Sequence, residues 1–306
     1  MLILIWTILA GLVGLGLGGE LLVRGAVGIA HKLGLSGLVT GVVIMGSATS
    51  MPELVASVEA ALIGSPGIAW GNIVGSNIAN SLLILGATAL VAPIVMHGVG
   101  KRDSVVALIA TLVVWAIAVT RLASPWIGAL LLALLVVYVV WRLRHPPESL
   151  EDDEEDAPKS IWIAACLFAA GLAVLIGGGQ LLVTGAVDLA RVLGVSEAAI
   201  GLTVVAVGTS LPELAATLAA AVRGRPDLAV GNVVGSNIYN LLLIGGATMA
   251  IAPIPVAEEL LDFEWPVLAA SALLLLVLCR YAKRIGRIAG LALLAAFGIN
   301  TALVFA

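Results

Sequence analysis

Charge is scarce in this chain. Only 11% of its 306 residues are Asp, Glu, Lys or Arg, far below the roughly 25% usual for soluble domains. By contrast 61% are hydrophobic, more than a water-soluble core absorbs, so the expected partner is the lipid bilayer. Nothing in the composition points to nucleic acid, and no obligatory protein partner is expected. Cysteine is nearly absent: Cys166 and Cys279 lie in apolar segments without metal-ligand spacing and read as packed thiols. Histidine is almost as rare. His31, His97 and His145 fall toward segment ends or loops, so the Ser/His or zinc constellation of an intramembrane hydrolase is missing. An enzyme is therefore not expected, nor a cofactor. The apolar run begins at Leu2 without a basic leader or a small-residue cleavage site and reads as a first membrane helix.

What the chain does have is apolar length. Boundaries at charges and turn residues give ten hydrophobic segments, approximately 2–30, 36–63, 68–92, 104–120, 125–143, 160–191, 196–222, 228–252, 265–281 and 286–304. The fold class expected is an all-α polytopic membrane protein with ten transmembrane helices. Loops after odd-numbered segments hold most of the cations, including Lys32, Lys101, Arg102, Arg144, Arg223, Arg225, Lys283 and Arg284, whereas the opposite loops hold only Arg121 and Arg191. Positive charge stays in the cytoplasm, so both termini are placed outside.

An internal repeat organises these segments. Residues 41–94 align without a gap with 201–254, and roughly half the positions are identical. The division expected is a first five-helix repeat over 1–143, an acidic cytoplasmic linker over 144–159, and a second five-helix repeat over 160–306. Five is odd, so the second repeat enters the membrane from the opposite side and the two are inverted in topology. In such architectures the substrate site lies near the midplane, where the repeats meet on interrupted helices. The linker, which holds Glu148, Glu151, Asp152, Asp153, Glu154, Glu155 and Asp156, reads as a solvated connection.

The chemistry concentrates inside the repeats. The first contains Gly46-Ser47-Ala48-Thr49-Ser50-Met51-Pro52-Glu53 and the second Ala206-Val207-Gly208-Thr209-Ser210-Leu211-Pro212-Glu213. Each proline lacks a backbone donor, so carbonyls near Ala48–Thr49 and Gly208–Thr209 are expected to lose their partners within kinked helices. Thr49 and Glu53 are four apart, as are Thr209 and Glu213, and are expected to share a face. A carboxylate in the bilayer costs about 2.5–3.5 kcal/mol on insertion scales, so two at equivalent positions call for a function. The following helices carry Gly71, Asn72, Gly75, Ser76, Asn77, Asn80 and Gly231, Asn232, Gly235, Ser236, Asn237, Asn240. Ser76 and Asn80 share a helical face, as do Ser236 and Asn240, and offer neutral oxygens; Asn72 and Asn232 suit interhelical glue. Glu20 and Glu59, whose counterparts are Gln180 and Ala219, break the symmetry and read as packing, gating or interfacial residues.

Thr-Ser-Met-Pro-Glu and Thr-Ser-Leu-Pro-Glu, each followed by Gly-Asn-Ile/Val-Val-Gly-Ser-Asn-Ile-x-Asn, resemble the two alpha repeats of the cation/calcium exchanger superfamily, especially prokaryotic sodium/calcium exchangers. The resemblance implies a calcium site formed by Glu53, Glu213 and the Thr49 and Thr209 carbonyls. It also implies flanking sodium sites using the Gly46 and Ala206 carbonyls with Ser50, Ser76, Ser210 and Ser236, while Asn80 and Asn240 line the centre. Three departures stand out: Ala48 replaces the usual glycine, Gly46 lies where alanine-like residues are common, and Asn240 is neutral where potassium-dependent relatives carry aspartate. The large regulatory loop of animal exchangers is absent.

Two carboxylates match the charge of one Ca²⁺, a hard ion that takes about six to eight oxygen ligands. The reading is a sodium/calcium antiporter of a prokaryotic inner or plasma membrane, with Ca²⁺ and Na⁺ as transported ions. It works by alternating access and is electrogenic and potassium-independent. A proton/calcium antiporter and, more distantly, a cation channel are the alternatives.

Overall fold

The computed structural model describes residues 2–96, 98–145, 158, 160–193, 206–253, 256 and 258–304. They are nearly all helical: α1 (Leu2–Leu33), α2 (Gly37–Thr49), α3 (Met51–Leu62), α4 (Pro66–Val91), α5 (Lys101–Thr120), α6 (Pro125–Arg144), α7 (Ile161–Val192), α8 (Ala206–Gly208), α9 (Leu211–Val222), α10 (Pro226–Ile251), α11 (Glu264–Tyr281) and α12 (Arg287–Val304). Among the described residues eight helices are long and apolar enough to cross a bilayer, and α2 with α3, bent by 42°, brings the number to nine. Of the segment read at 196–222, the part before Ala206 lies outside the described residues, as do most of the acidic linker and His97; α9 is a shorter apolar helix.

Both prolines sit at a break between helices rather than inside a continuous kinked one. Pro52 occupies the first turn of α3 and Pro212 the first turn of α9, where a missing N–H leaves no hydrogen bond unmade. Ser50 and Ser210 are the joints, with φ/ψ of −80°/2° and −91°/7°. Thr49 and Glu53 therefore belong to two helices, and the break, not a shared helical face, turns them toward one place. The ladder resumes at the joints, whose carbonyls accept from Leu54 and Leu214 at 3.1 Å each.

Helices α4 and α10 form the centre. In its most apolar stretch α10 is 94% buried, against 11% for α12. That gradient is what a bilayer solvent permits, since outer helices keep apolar faces toward lipid. Trp70 on α4 and Trp265 on α11 pack with ring centroids 6.5 Å apart, beside Ile73, Ile78, Val234 and Ile238. Each central helix contains a π-helical turn, Asn80–Ile84 and Asn240–Ile244, opened by an asparagine; a third, Thr40–Met45, lies in α2. Such turns widen the backbone and favour functional sites.

Three devices fix the surround. Helices α1 and α7 run along each other on glycine: a Cβ on Gly14 would stand 3.0 Å from the Gly178 Cα, and one on Gly178 would stand 2.8 Å from the Leu15 nitrogen. Only residues without side chains permit that approach. Arg142 on α6 pairs with Asp103 on α5 at 2.8 Å, both almost wholly buried, and the Tyr138 hydroxyl donates to the same Asp103 oxygen at 2.8 Å. Strand β1 (Ile94–Val95) pairs antiparallel with β2 (Arg284–Ile285), tying the chain after α4 to the chain before α12. Cys279 is packed as expected, but Cys166 is exposed on α7, because its helix face points away from the bundle.

Candidate cation site

The two breaks bring the repeats together. Helix α9 packs against the Asn80–Ile84 turn, and α3 packs against Asn240–Ile244, so each carboxylate-bearing helix meets the asparagine turn of the other repeat. Glu53 and Glu213 lie close enough to feel each other's charge. Ser210 stands beside the Glu53 carboxylate, and Thr49 and Ser50 beside that of Glu213. Gly46 presses α2 onto the backbone of α10, where a Cβ would stand 3.0 Å from the Ser236 nitrogen. The structure thus brings together Glu53, Glu213, Thr49, Ser50 and Ser210, sets Gly46 against Ser236, and packs the turns that begin at Asn80 and Asn240 against the two glutamate helices. Ser76 is buried on α4, Thr209 is half-buried just before its joint, and the side chain of Ala206 is outside the description.

Several of these groups share a property with other buried polar atoms of the protein. Among the described residues, Ser50 Oγ, both Glu53 carboxylate oxygens, Asn80 Oδ1, Thr209 Oγ1, Ser210 Oγ, Glu213 Oε2, Ser236 Oγ and Asn240 Oδ1 are shielded from solvent and have no hydrogen-bond partner. A buried polar atom without a partner costs about 1–3 kcal/mol. Every atom in this set is an oxygen able to accept or coordinate, and two carboxylates supply the charge. Oxygens of this kind are the ligand type that hard cations take.

The supporting hydrogen bonds hold the cradle without using those oxygens. Asn72 Nδ2 donates to the Glu53 carbonyl at 3.2 Å and to Ser57 Oγ at 2.8 Å. Asn232 Nδ2 repeats this toward the Glu213 carbonyl at 3.4 Å and Thr217 Oγ1 at 2.9 Å. They clamp each glutamate helix to the helix after it, the glue reading of these amides. Asn232 also lies 3.4 Å from the Thr49 hydroxyl, which donates to the Met45 carbonyl at 3.1 Å.

Sequence reasoning missed two supporting features. Tyr239 donates to the Val43 carbonyl in the π-helical turn of α2 at 3.3 Å; its counterpart is Ala79, and that asymmetry was the available signal. Glu20 on α1 is bound by Arg223 at the end of α9 and by Arg24 at 2.8 Å. Arg223 stands where the first repeat has Ile63, so both ends of this pair break the symmetry. Glu59 is exposed and takes no part in the cluster.

A multi-pass helical membrane protein whose buried centre joins two carboxylates to a shell of neutral oxygens is, as a class, an ion transporter. The chain belongs to the sodium/calcium exchanger protein family, whose model matches residues 3–144 and 163–306. It is similar to the proposed antiporter CaxA of Alkalimonas amylolytica, at 40% identity over 95% of each chain. It is also similar to the sodium/calcium exchanger MaX1 of Methanosarcina acetivorans, at 33% identity over 94% of each chain. Among solved structures it matches the sodium-calcium exchanger NCX_Mj soaked with 10 mM Na⁺ and zero Ca²⁺, at a TM-score of 0.85, 32% identity and 99% coverage of both chains. Cation exchange with calcium is thus the business of the family.

Proposed function

We propose that the chain exchanges several Na⁺ for one Ca²⁺ by alternating access, without potassium. The observation that carries this is the cluster of unpartnered buried oxygens around Glu53 and Glu213. Ca²⁺ takes both carboxylates with the Thr49 and Thr209 carbonyls. Na⁺ ions spread over the same carboxylates and the flanking oxygens of Gly46, Ser50, Ser76, Ala206, Ser210 and Ser236, with Asn80 and Asn240 between them. The two ions then compete for the same charge, which is what couples them. The neutral amides are the reason to prefer sodium over protons and to exclude a potassium requirement.

In this reading ten spans form two inverted repeats, 1–143 and 160–306, joined by the linker at 144–159, with both termini outside the cell membrane. The α1–α7 pair, joined along its glycine seam, rocks against the site-bearing core. Exchanging about three Na⁺ for one Ca²⁺ moves one net charge per cycle, worth about 2.3 kcal/mol in a 100 mV potential.

Purified protein in sodium-loaded liposomes, placed in sodium-free calcium medium, is expected to accumulate calcium, faster when the voltage favours exit of the extra charge and equally with or without potassium at matched voltage. Uptake driven by a pH gradient without sodium would identify a proton antiporter instead.

A further inference from the structure

The site asparagines are supported differently in the two repeats. Asn80 Nδ2 donates to Asn237 Oδ1 at 3.0 Å, and Asn237 Nδ2 donates to Ser81 Oγ at 3.0 Å. The chain of bonds leaves Asn80 Oδ1 as the free end, buried and unpartnered. In the other repeat Leu241 replaces Ser81 and has no hydroxyl. Asn77, the counterpart of Asn237, turns instead to its own helix and donates to the Ile73 carbonyl at 2.7 Å.

We propose that Asn237 and Ser81 are positioning residues that hold the Asn80 amide with its oxygen toward the transported cation and so set calcium against sodium preference. The inference rests on the exchanger reading of the site. A primary amide has an oxygen end that attracts a cation and an NH₂ end that repels it. Rotating Asn80 alone would set its oxygen against the oxygen of Asn237. The hydrogen-bonded chain therefore makes the wrong orientation a three-residue rearrangement rather than a single flip. Asn240 has no such chain, since Leu241 offers no hydroxyl and Asn77 donates within its own helix. An ion–dipole contact scales with ionic charge, so a fixed carbonyl favours Ca²⁺ over Na⁺.

The test compares variants in liposomes, reading the calcium concentration for half-maximal uptake and the sodium concentration for half-maximal inhibition. Calcium-dependent thermal shift of the purified protein gives a readout apart from transport. Asn237→Leu is expected to raise the calcium requirement by about threefold to tenfold, the scale of one net hydrogen bond, with a smaller change for sodium. Ser81→Ala moves the same ratio less, and Ser81→Thr restores it. In an Asn80→Ala background Asn237→Leu has no further effect, because it acts through Asn80. Equal effects of Asn237→Leu with and without Asn80, or a calcium-to-sodium ratio that none of these changes moves, overturn the inference. Glu53→Gln runs alongside: if it keeps normal exchange, the exchanger site itself is wrong, whereas its loss with additive Asn237 effects sinks only the positioning role.

Discussion

The stretches 41–94 and 201–254 share their ligand-type residues and differ in what surrounds them. Thr-Ser-x-Pro-Glu and the Ser and Asn of the following helix recur at matching positions, and so do the Asn72 and Asn232 clamps. The supports diverge: Ser81 against Leu241, Tyr239 against Ala79, Arg223 against Ile63, Glu20 against Gln180. Even the two threonines differ, since the Thr49 hydroxyl is bonded and that of Thr209 is not. A site read from two sides needs matching ligands for one ion. Its supports are free to differ, and on the proposed exchange mechanism they are where the two access states would be told apart.

The carboxylates should show the least tolerance on both sides of that comparison. Glu53→Gln and Glu213→Gln are each expected to abolish calcium transport while leaving membrane insertion intact, because a neutral amide leaves Ca²⁺ half-compensated in a poorly polarisable centre. Uptake assays on purified variants check this, and normal transport by either one breaks the symmetry of the ligand set.

Next comes the buried ion pair of the first half, Asp103 with Arg142. Arg142→Met strands a buried carboxylate and is expected to cost about 3–5 kcal/mol of stability, whereas the double change Asp103→Leu with Arg142→Met recovers most of it. Thermal melts in detergent would separate the two cases. Equal losses would show that packing of the arginine stem, not the charge, matters.

The clamps sharpen the comparison further. Asn232→Ala should destabilise by about 1–3 kcal/mol and by more than Asn72→Ala, since only Asn232 also meets Thr49 across the repeats. The same melts decide the order. The smallest effect is expected at Glu20→Gln, which gives the first repeat the residue the second already has and removes a partly exposed pair with Arg223. Calcium affinity should hold while the turnover rate shifts by a small factor; complete loss of transport with normal expression would mean that two carboxylates do not make the whole site.

Much of this was legible in the sequence because membrane helices announce themselves by apolar length and because the repeat marks equivalent residues twice. Glu53, Glu213, Asn80 and Asn240 could be singled out on that basis. What escaped was set by long-range geometry. The partner of Glu20 lies 203 residues away, and nothing local to Ser81 tells that Asn237 reaches it. Pro52 and Pro212 were visible as interruptions, but the hydrogen-bond ladder alone shows that they start new helices rather than bend old ones.

Glycine has no rotamers to freeze, so the glycine part of the seam between α1 and α7 forms without loss of side-chain entropy. Inside a bilayer it also owes nothing to the release of water, since lipid tails are as apolar as the residues they touch. Its cohesion is dispersion between the closely packed backbones and the side chains beside them, among them Leu15, Leu22, Leu175 and Phe168. Cooling weakens a core assembled by water. That dependence does not carry over to contacts made within lipid, and the seam joins the two longest of the described helices.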